Sequence, residues 1–227
     1  MLRSFRGAVA SGFLLAGVFV GAGCQSSPRT REPANLSHAK AAVIAYYDSG
    51  AYLEEVVAVA EEAEQWIRQR ADKAQSGERL AVVFDIDETV LSTYPQMRSQ
   101  DFGYVPKVWS EYVAAAEAKA LEPVRDVYHS ARAVGVTVFF VTGRKDGPDR
   151  DGTARNLAHQ GMNDYAELFM AAPDDFRPTW QRKSAARAEI ERRGYRIIAN
   201  IGDQASDLAG GHAERTFKLP NPFYSID

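Results

Sequence analysis

Cysteine is almost missing from this chain. Of its 227 residues only Cys24 is a cysteine, so no disulfide can close within one chain. Histidine is scarce as well. His38, His129, His159 and His212 fall at no metal-ligand spacing. An excess of positive charge is also absent. The formal charge is −3 at pH 7, which leaves no electrostatic footprint for a nucleic-acid polymer. There is no internal repeat and no low-complexity tract.

The N-terminus is different in kind. Met1-Leu2-Arg3-Ser4-Phe5-Arg6 precedes a stretch without charge from Gly7 to Gly23. Two arginines, an apolar run, small residues and a cysteine read as a secretory signal over 1–23. Gly21-Ala22-Gly23-Cys24 resembles a bacterial lipobox, although Gly21 stands where leucine is usual. The resemblance implies a lipid on Cys24, the first mature residue, and attachment to a membrane of the cell envelope. Because Gln25 rather than aspartate follows it, the outer membrane is expected. The other readings are an ordinary signal peptide or an uncleaved anchor at the short limit of a span. Removal of residues 1–23 deletes Arg3 and Arg6 and takes the formal charge from −3 to −5. Residues 24–35, polar and proline-containing, read as a lipidated tether. Residues 36–227 suffice for one domain.

Along that domain the apolar period alternates between helix and strand. Ser37 is the expected N-cap of a helix to Asp48, broken by Ser49-Gly50. From Tyr52 to Ala71, Leu53, Val56, Val57, Ala60, Ala63 and Ile67 recur at helical spacing. Short apolar runs at 80–84, 136–141, 168–171 and 196–201 read as strands, with a fifth at 216–219. Helices are expected at 123–134, 153–159 and 180–193. Pro123 fits a first turn and Gly135 a stop. Residues 92–122 show no strand but are rich in aromatics. Alternating strands and helices imply right-handed crossovers and an α/β fold. The expected form is a Rossmann-like, mostly parallel sheet flanked by helices. A small helical cap would come from about 36–75 and 92–122.

Three strands end in reactive groups. Leu80-Ala81-Val82-Val83-Phe84 runs into Asp85-Ile86-Asp87-Glu88-Thr89. The second ends in Thr142-Gly143-Arg144. The fourth ends in Gly202-Asp203-Gln204-Ala205-Ser206-Asp207, and Lys183 opens the helix between. Open α/β sheets place reaction sites at the carboxyl ends of their strands. In order, these motifs resemble those of the haloacid dehalogenase superfamily. Within it they resemble the acid phosphatase branch, which holds bacterial class C surface lipoprotein phosphatases and plant vegetative storage proteins. The plant-type likeness extends to Gly194-Tyr195-Arg196-Ile197 and to Phe217-Lys218-Leu219-Pro220-Asn221-Pro222. It covers about residues 36–226.

The resemblance implies a phosphate monoester as substrate and Mg²⁺ as cofactor. Asp85 and Asp203 would ligate the metal, with the carbonyl of Asp87, because Mg²⁺ takes oxygen ligands in an octahedron. Asp207 would orient ligands from behind. Asp85 would attack phosphorus to give an aspartyl-phosphate. Asp87 would protonate the leaving alkoxide and later deprotonate water. Thr142, the Gly143 amide and Lys183 would hold the phosphoryl oxygens. Thr89 would fix the first loop through its backbone, and Arg144 is either a brace for the acids or a surface residue. Tyr94 and Trp109 are candidates for stacking on a nucleobase or aryl ring. A non-catalytic storage or ligand-binding lipoprotein, or a phosphotransferase, would carry the same residues. A cysteine phosphatase is excluded by the lack of a thiol beyond the leader.

Overall fold

The apolar runs become five parallel strands. They are β1 (Arg79–Phe84), β2 (Thr137–Lys145), β3 (Glu167–Ala171), β4 (Tyr195–Gly202) and β5 (Thr216–Lys218), in the spatial order β3-β2-β1-β4-β5. β1 is central, buried at every residue after Arg79. Its side chains alternate between two cores, as a strand period of two requires. Val82 and Phe84 join the larger core, while Ala81 and Val83 join a smaller one with Phe139, Val141, Ile190 and Ile197. Burial on both faces explains why the strands read as continuous apolar runs. The chain leaves β1 toward β2 and later returns to its other side as β4. The carboxyl end of β1 is therefore the point where the strand order reverses, and where a crevice opens.

This computed structural model describes Met1 and residues 33–226. Cys24, the leader and most of the tether lie outside the described residues. Residues Asn35–Asp227 form one compact unit.

Helices cover both faces. α2 (Ala51–Asp72) packs along α5 (Glu122–Ala133) and over β4, whereas α7 (Thr179–Arg192) lies against β2 and β4 on the other side. The expected cap therefore divides. α2 sinks Val56, Ala60, Ala63 and Ile67 into the main core and is a layer of the sheet. α1 (Leu36–Asp48), α3 (Tyr94–Ser99) and α4 (Pro106–Ala115) instead gather around the loop after β1. There Tyr47 stacks on Tyr94 at 3.6 Å between ring centroids, and Tyr112 Oη donates to the Ser92 carbonyl at 3.1 Å.

Glu88 ties these pieces together. It is fully buried, in the left-handed region at φ +53°. Its Oε2 accepts from the hydroxyls of Tyr47 and Tyr52, each at 2.9 Å. Its Oε1 accepts from the amides of Thr93 and Tyr94 and the hydroxyls of Ser92 and Thr93. Burial still raises its pKa, although these donors work against the rise. The N-terminal helices are thus fastened to the residue immediately after Asp87.

Three boundaries differ from expectation, the first being that α6 (Arg150–His159) begins three residues before the 153 expected. α1 is capped by Asn35, whose Oδ1 accepts from the amides of Ser37 and His38 at 3.0 and 3.3 Å. Ser37 lies inside the helix, since Asn35 holds the extended backbone an N-cap needs. β2 also continues past Val141 through Thr142-Gly143-Arg144 to Lys145, with a register shift against β3 over that stretch.

Candidate active site

Asp85 leaves the end of β1, its amide bonded to the Ile201 carbonyl of β4 at 2.9 Å. Its buried carboxylate meets the Lys183 ammonium, Oδ1 to Nζ, at 2.5 Å. Lys183, buried in α7, also donates to Asp207 Oδ1 at 2.6 Å. Burial opposes the ammonium, but the two carboxylates outweigh it and hold its pKa above the ordinary value. Asp203 follows β4 and is buried. Its Oδ1 accepts from Thr89 Oγ1 at 3.2 Å, and its Oδ2 from Gln204 Nε2 at 2.5 Å and Asn221 Nδ2 at 2.7 Å.

Asp85, Asp203 and Asp207 each place a carboxylate oxygen within 4.8 Å of the others. Three carboxylates face one ammonium, an excess of two negative charges in a buried place. Burial raises the pKa of Asp85 well above the carboxylate range; Lys183 opposes this, and Asp207 and Asp203 add to it. Burial and the Asp207 charge raise that of Asp203. A divalent cation with oxygen preference fits this charge and donor set. Gly202 permits the cluster, because a Cβ there would come within 2.5 Å of Asp207 Cβ.

Asp87 is held apart from these acids. Its carboxylate sits in the fork of Arg144, with contacts of 3.2 and 3.0 Å from Nε and 2.7 Å from Nη2. Arg144 is buried, and its Nη1 donates to Thr153 Oγ1 at 3.1 Å. It is a brace for the acids, not a surface residue. The Asp87 carbonyl accepts from Tyr224 Oη at 3.3 Å.

A cavity of about 430 Å³ opens above these groups. Asp85, Asp87, Gly143, Lys183, Asp203 and Asp207 all line it, with Trp109 and Tyr104 as an aromatic wall. The guanidinium of Arg144 lies 5.8 Å from the Trp109 ring centroid. A Cβ at Gly143 would meet nothing within 4 Å, so its backbone faces open space.

Three expected residues, Tyr94, Thr142 and Asp207, take other places. Tyr94 does not line the cavity: it is buried, stacked on Tyr47, with the Phe102 ring tilted and the Phe223 ring edge-on beside it. Its amide serves Glu88. Thr142 is buried in β2, and its Oγ1 accepts from the Arg144 amide at 3.2 Å, which turns the hydroxyl to its own strand. Thr89 bonds its own loop, its amide donating to the Ile86 carbonyl at 3.2 Å, and its side chain also secures Asp203. Asp207 enters the carboxylate cluster itself, while its Oδ2 accepts from the Gln204 amide at 2.8 Å as part of a capping box.

Over residues 17–227 the sequence matches the family described as HAD superfamily, subfamily IIIB (Acid phosphatase). The chain belongs to this acid phosphatase family. It is 34% identical over 180 residues to Acid phosphatase 1 of Solanum lycopersicum, covering 77% of this chain and 69% of that one. It is 37% identical over 154 residues to the Stem 28 kDa glycoprotein of Glycine max, covering 63% of this chain but 59% of the relative's length. The class C acid phosphatase from Bacillus anthracis shares the fold. Its structure superposes with a TM-score of 0.69 over 84% of this chain and 85% of that one, at 21% identity. The parallel five-stranded sheet flanked by helices is thus the HAD-type sheet that the motifs implied.

Several residues of this site escaped the sequence. Tyr224, Ser225 and Ile226 line the cavity from the chain's last turn, and Asn221 reaches Asp203. The motif Leu219-Pro220-Asn221-Pro222 marked the segment without showing where it would fold. Arg182, beside Lys183, also lines the cavity.

Proposed function

We propose that this protein is a Mg²⁺-dependent phosphomonoesterase of the cell envelope, tethered by a lipid on Cys24. The observation that carries the catalytic reading is the Asp85 carboxylate at the switch point of the sheet. It touches Lys183 and lies beside two further buried acids whose combined charge a divalent cation balances. Oδ1 of Asp85 is engaged by Lys183, which leaves Oδ2 for phosphorus. In-line attack forms the Asp85 O–P bond and breaks the ester P–O bond. Asp85, Asp203 and Asp207 would hold Mg²⁺, which when bound would supply positive charge to offset that of the phosphoryl group.

Lys183 and the open backbone at Gly143 hold the phosphoryl group against Asp85. Asp87 gives its proton to the departing alkoxide, then takes one from the water that cleaves the aspartyl-phosphate and releases inorganic phosphate. Before either step, Asp87 has to leave the fork of Arg144. An incoming phosphoryl dianion competes for that guanidinium, which links substrate entry to the release of Asp87. Trp109 and Tyr104 give a planar leaving group a stacking wall, which suits a nucleoside monophosphate.

The test is phosphate release by the mature chain from nucleotides, sugar phosphates and aryl phosphates, with and without chelator. Turnover that needs Mg²⁺ and is lost in Asp85→Asn is expected, with acid-stable phosphoenzyme trapped by rapid quench. Absence of turnover across the whole panel in Mg²⁺ would overturn this reading in favour of a storage or ligand-binding role. Phosphoryl transfer to an added alcohol in place of water would favour the phosphotransferase.

A further inference from the structure

Three basic side chains line the cavity: Arg144, Arg182 and Lys183. Arg144 is committed to Asp87, and Lys183 to Asp85 and Asp207. Arg182 is not committed in this way. Its side chain's one hydrogen bond among the described residues runs from Nη2 to Thr179 Oγ1 at 3.0 Å. Its Nε is buried and has no acceptor. Asp175, which feels the Arg182 charge, is already held in the fork of Arg177 at 2.9 and 2.6 Å.

A guanidinium presents five donors in a planar fork that matches a carboxylate or phosphate. A buried N–H left without an acceptor is costly, and native proteins seldom leave one. Thr179 lines the same cavity and offers a hydroxyl beside it. Arg182 and Lys183 are consecutive on α7, so their side chains diverge by roughly 100° around the helix. Lys183 points to the nucleophile. Arg182 therefore serves another part of the cavity, away from the phosphoryl group being transferred.

Resting on the phosphatase reading above, we propose that Arg182 and Thr179 form a second anion subsite. The preferred substrates are then phosphate monoesters whose alcohol half carries another anionic group, either a phosphate or a carboxylate.

The experiment compares substrates that differ only in that group. One pair is a nucleoside 3′,5′-bisphosphate against the 5′-monophosphate. The other is 3-phosphoglycerate against glycerol 3-phosphate. The mature chain in Mg²⁺ is expected to favour the second-anion member of at least one pair by about tenfold in kcat/KM, mostly through KM. A preference in the first pair alone identifies phosphate as the group; in the second alone, carboxylate. Arg182→Gln should collapse the ratio to about one. Arg182→Lys, which keeps the charge but not the fork, should lower it several-fold, and carries the test if the glutamine variant does not fold. A ratio near one in the unaltered protein for both pairs overturns the subsite and leaves the phosphatase reading intact. So does a ratio that folded variants leave unchanged. Should none of the four compounds turn over, calorimetric binding to Asp85→Asn decides. A retained preference there supports the subsite and equal affinities overturn it, while turnover across the wider panel above decides the phosphatase reading separately.

Discussion

The three clustered acids should destabilise the metal-free protein, and Asp203→Asn should relieve it. Asparagine can keep every hydrogen bond of Asp203. Its carbonyl takes the place of Oδ2, accepting from Gln204 and Asn221, and its amide donates to the Thr89 hydroxyl. What changes is charge. A like-charge pair at 4.8 Å costs about 3.5 kcal/mol at an effective dielectric of about 20. Asp203 makes two such contacts, with Asp85 and Asp207, and lost attraction to Lys183 offsets about one of them. The net gain is about 3 kcal/mol in chelator at pH 7. For a domain of this size that raises Tm by about 6–12 °C.

The sign with pH follows from the raised folded-state pKa of Asp203. A carboxyl of this kind contributes stability below its unfolded pKa and loses it as pH rises through the folded value. The advantage of Asp203→Asn should therefore be absent in acid, grow as pH climbs from the ordinary carboxylate range toward the raised folded value, and be complete above it. Mg²⁺ closes most of that gap. At a hundredfold excess over Kd it adds about 2.7 kcal/mol to the unaltered protein and little to the variant. Thermal melts in chelator and in Mg²⁺ at several pH values measure all of this. A variant less stable than the unaltered protein in chelator at pH 7, or one stabilised equally by Mg²⁺, would refute the charge argument.

Other consequences are open to test. Asp87→Ala should lose far more rate on a nucleotide or glycerol phosphate than on nitrophenyl phosphate, because only the alkoxide needs a proton; general acid catalysis is worth about 10²- to 10⁴-fold. Equal single-turnover losses on both esters would remove Asp87 from that role. Gly202→Ala forces a Cβ to within 2.5 Å of Asp207 Cβ and should cost about 1–3 kcal/mol in urea unfolding along with Mg²⁺ affinity; an unchanged midpoint would show that the cluster can shift freely. Cys24→Ser should abolish lipid labelling and membrane fractionation, and unchanged labelling would sink the proposed anchor.

The order of elements and the acids that serve the site were legible because both are local properties of sequence. A strand buried on both faces has to be a continuous apolar run, and β1 is one. Asp85, Lys183 and Asp203 sit at strand ends or helix starts, where period and punctuation could place them within a residue or two. Partners across the fold were not legible. Nothing local says that Arg144 reaches back to Asp87, 57 residues away, or that Thr89 serves Asp203, 114 residues away. The aromatic residues of 92–122 show why. Tyr94 and Trp109 look alike in sequence, yet Tyr94 has Tyr47 of α1 to stack against and is buried, while Trp109 is left facing the cavity. The last turn of the chain is the same case. Tyr224 reaches the Asp87 carbonyl from 137 residues away only because β5 delivers it to the edge of the site. Sequence thus determined which chemistry the chain carries and on which elements. The tertiary structure decided which charges meet, since a side chain's partner depends on how the elements pack, and that packing is a property of the whole core.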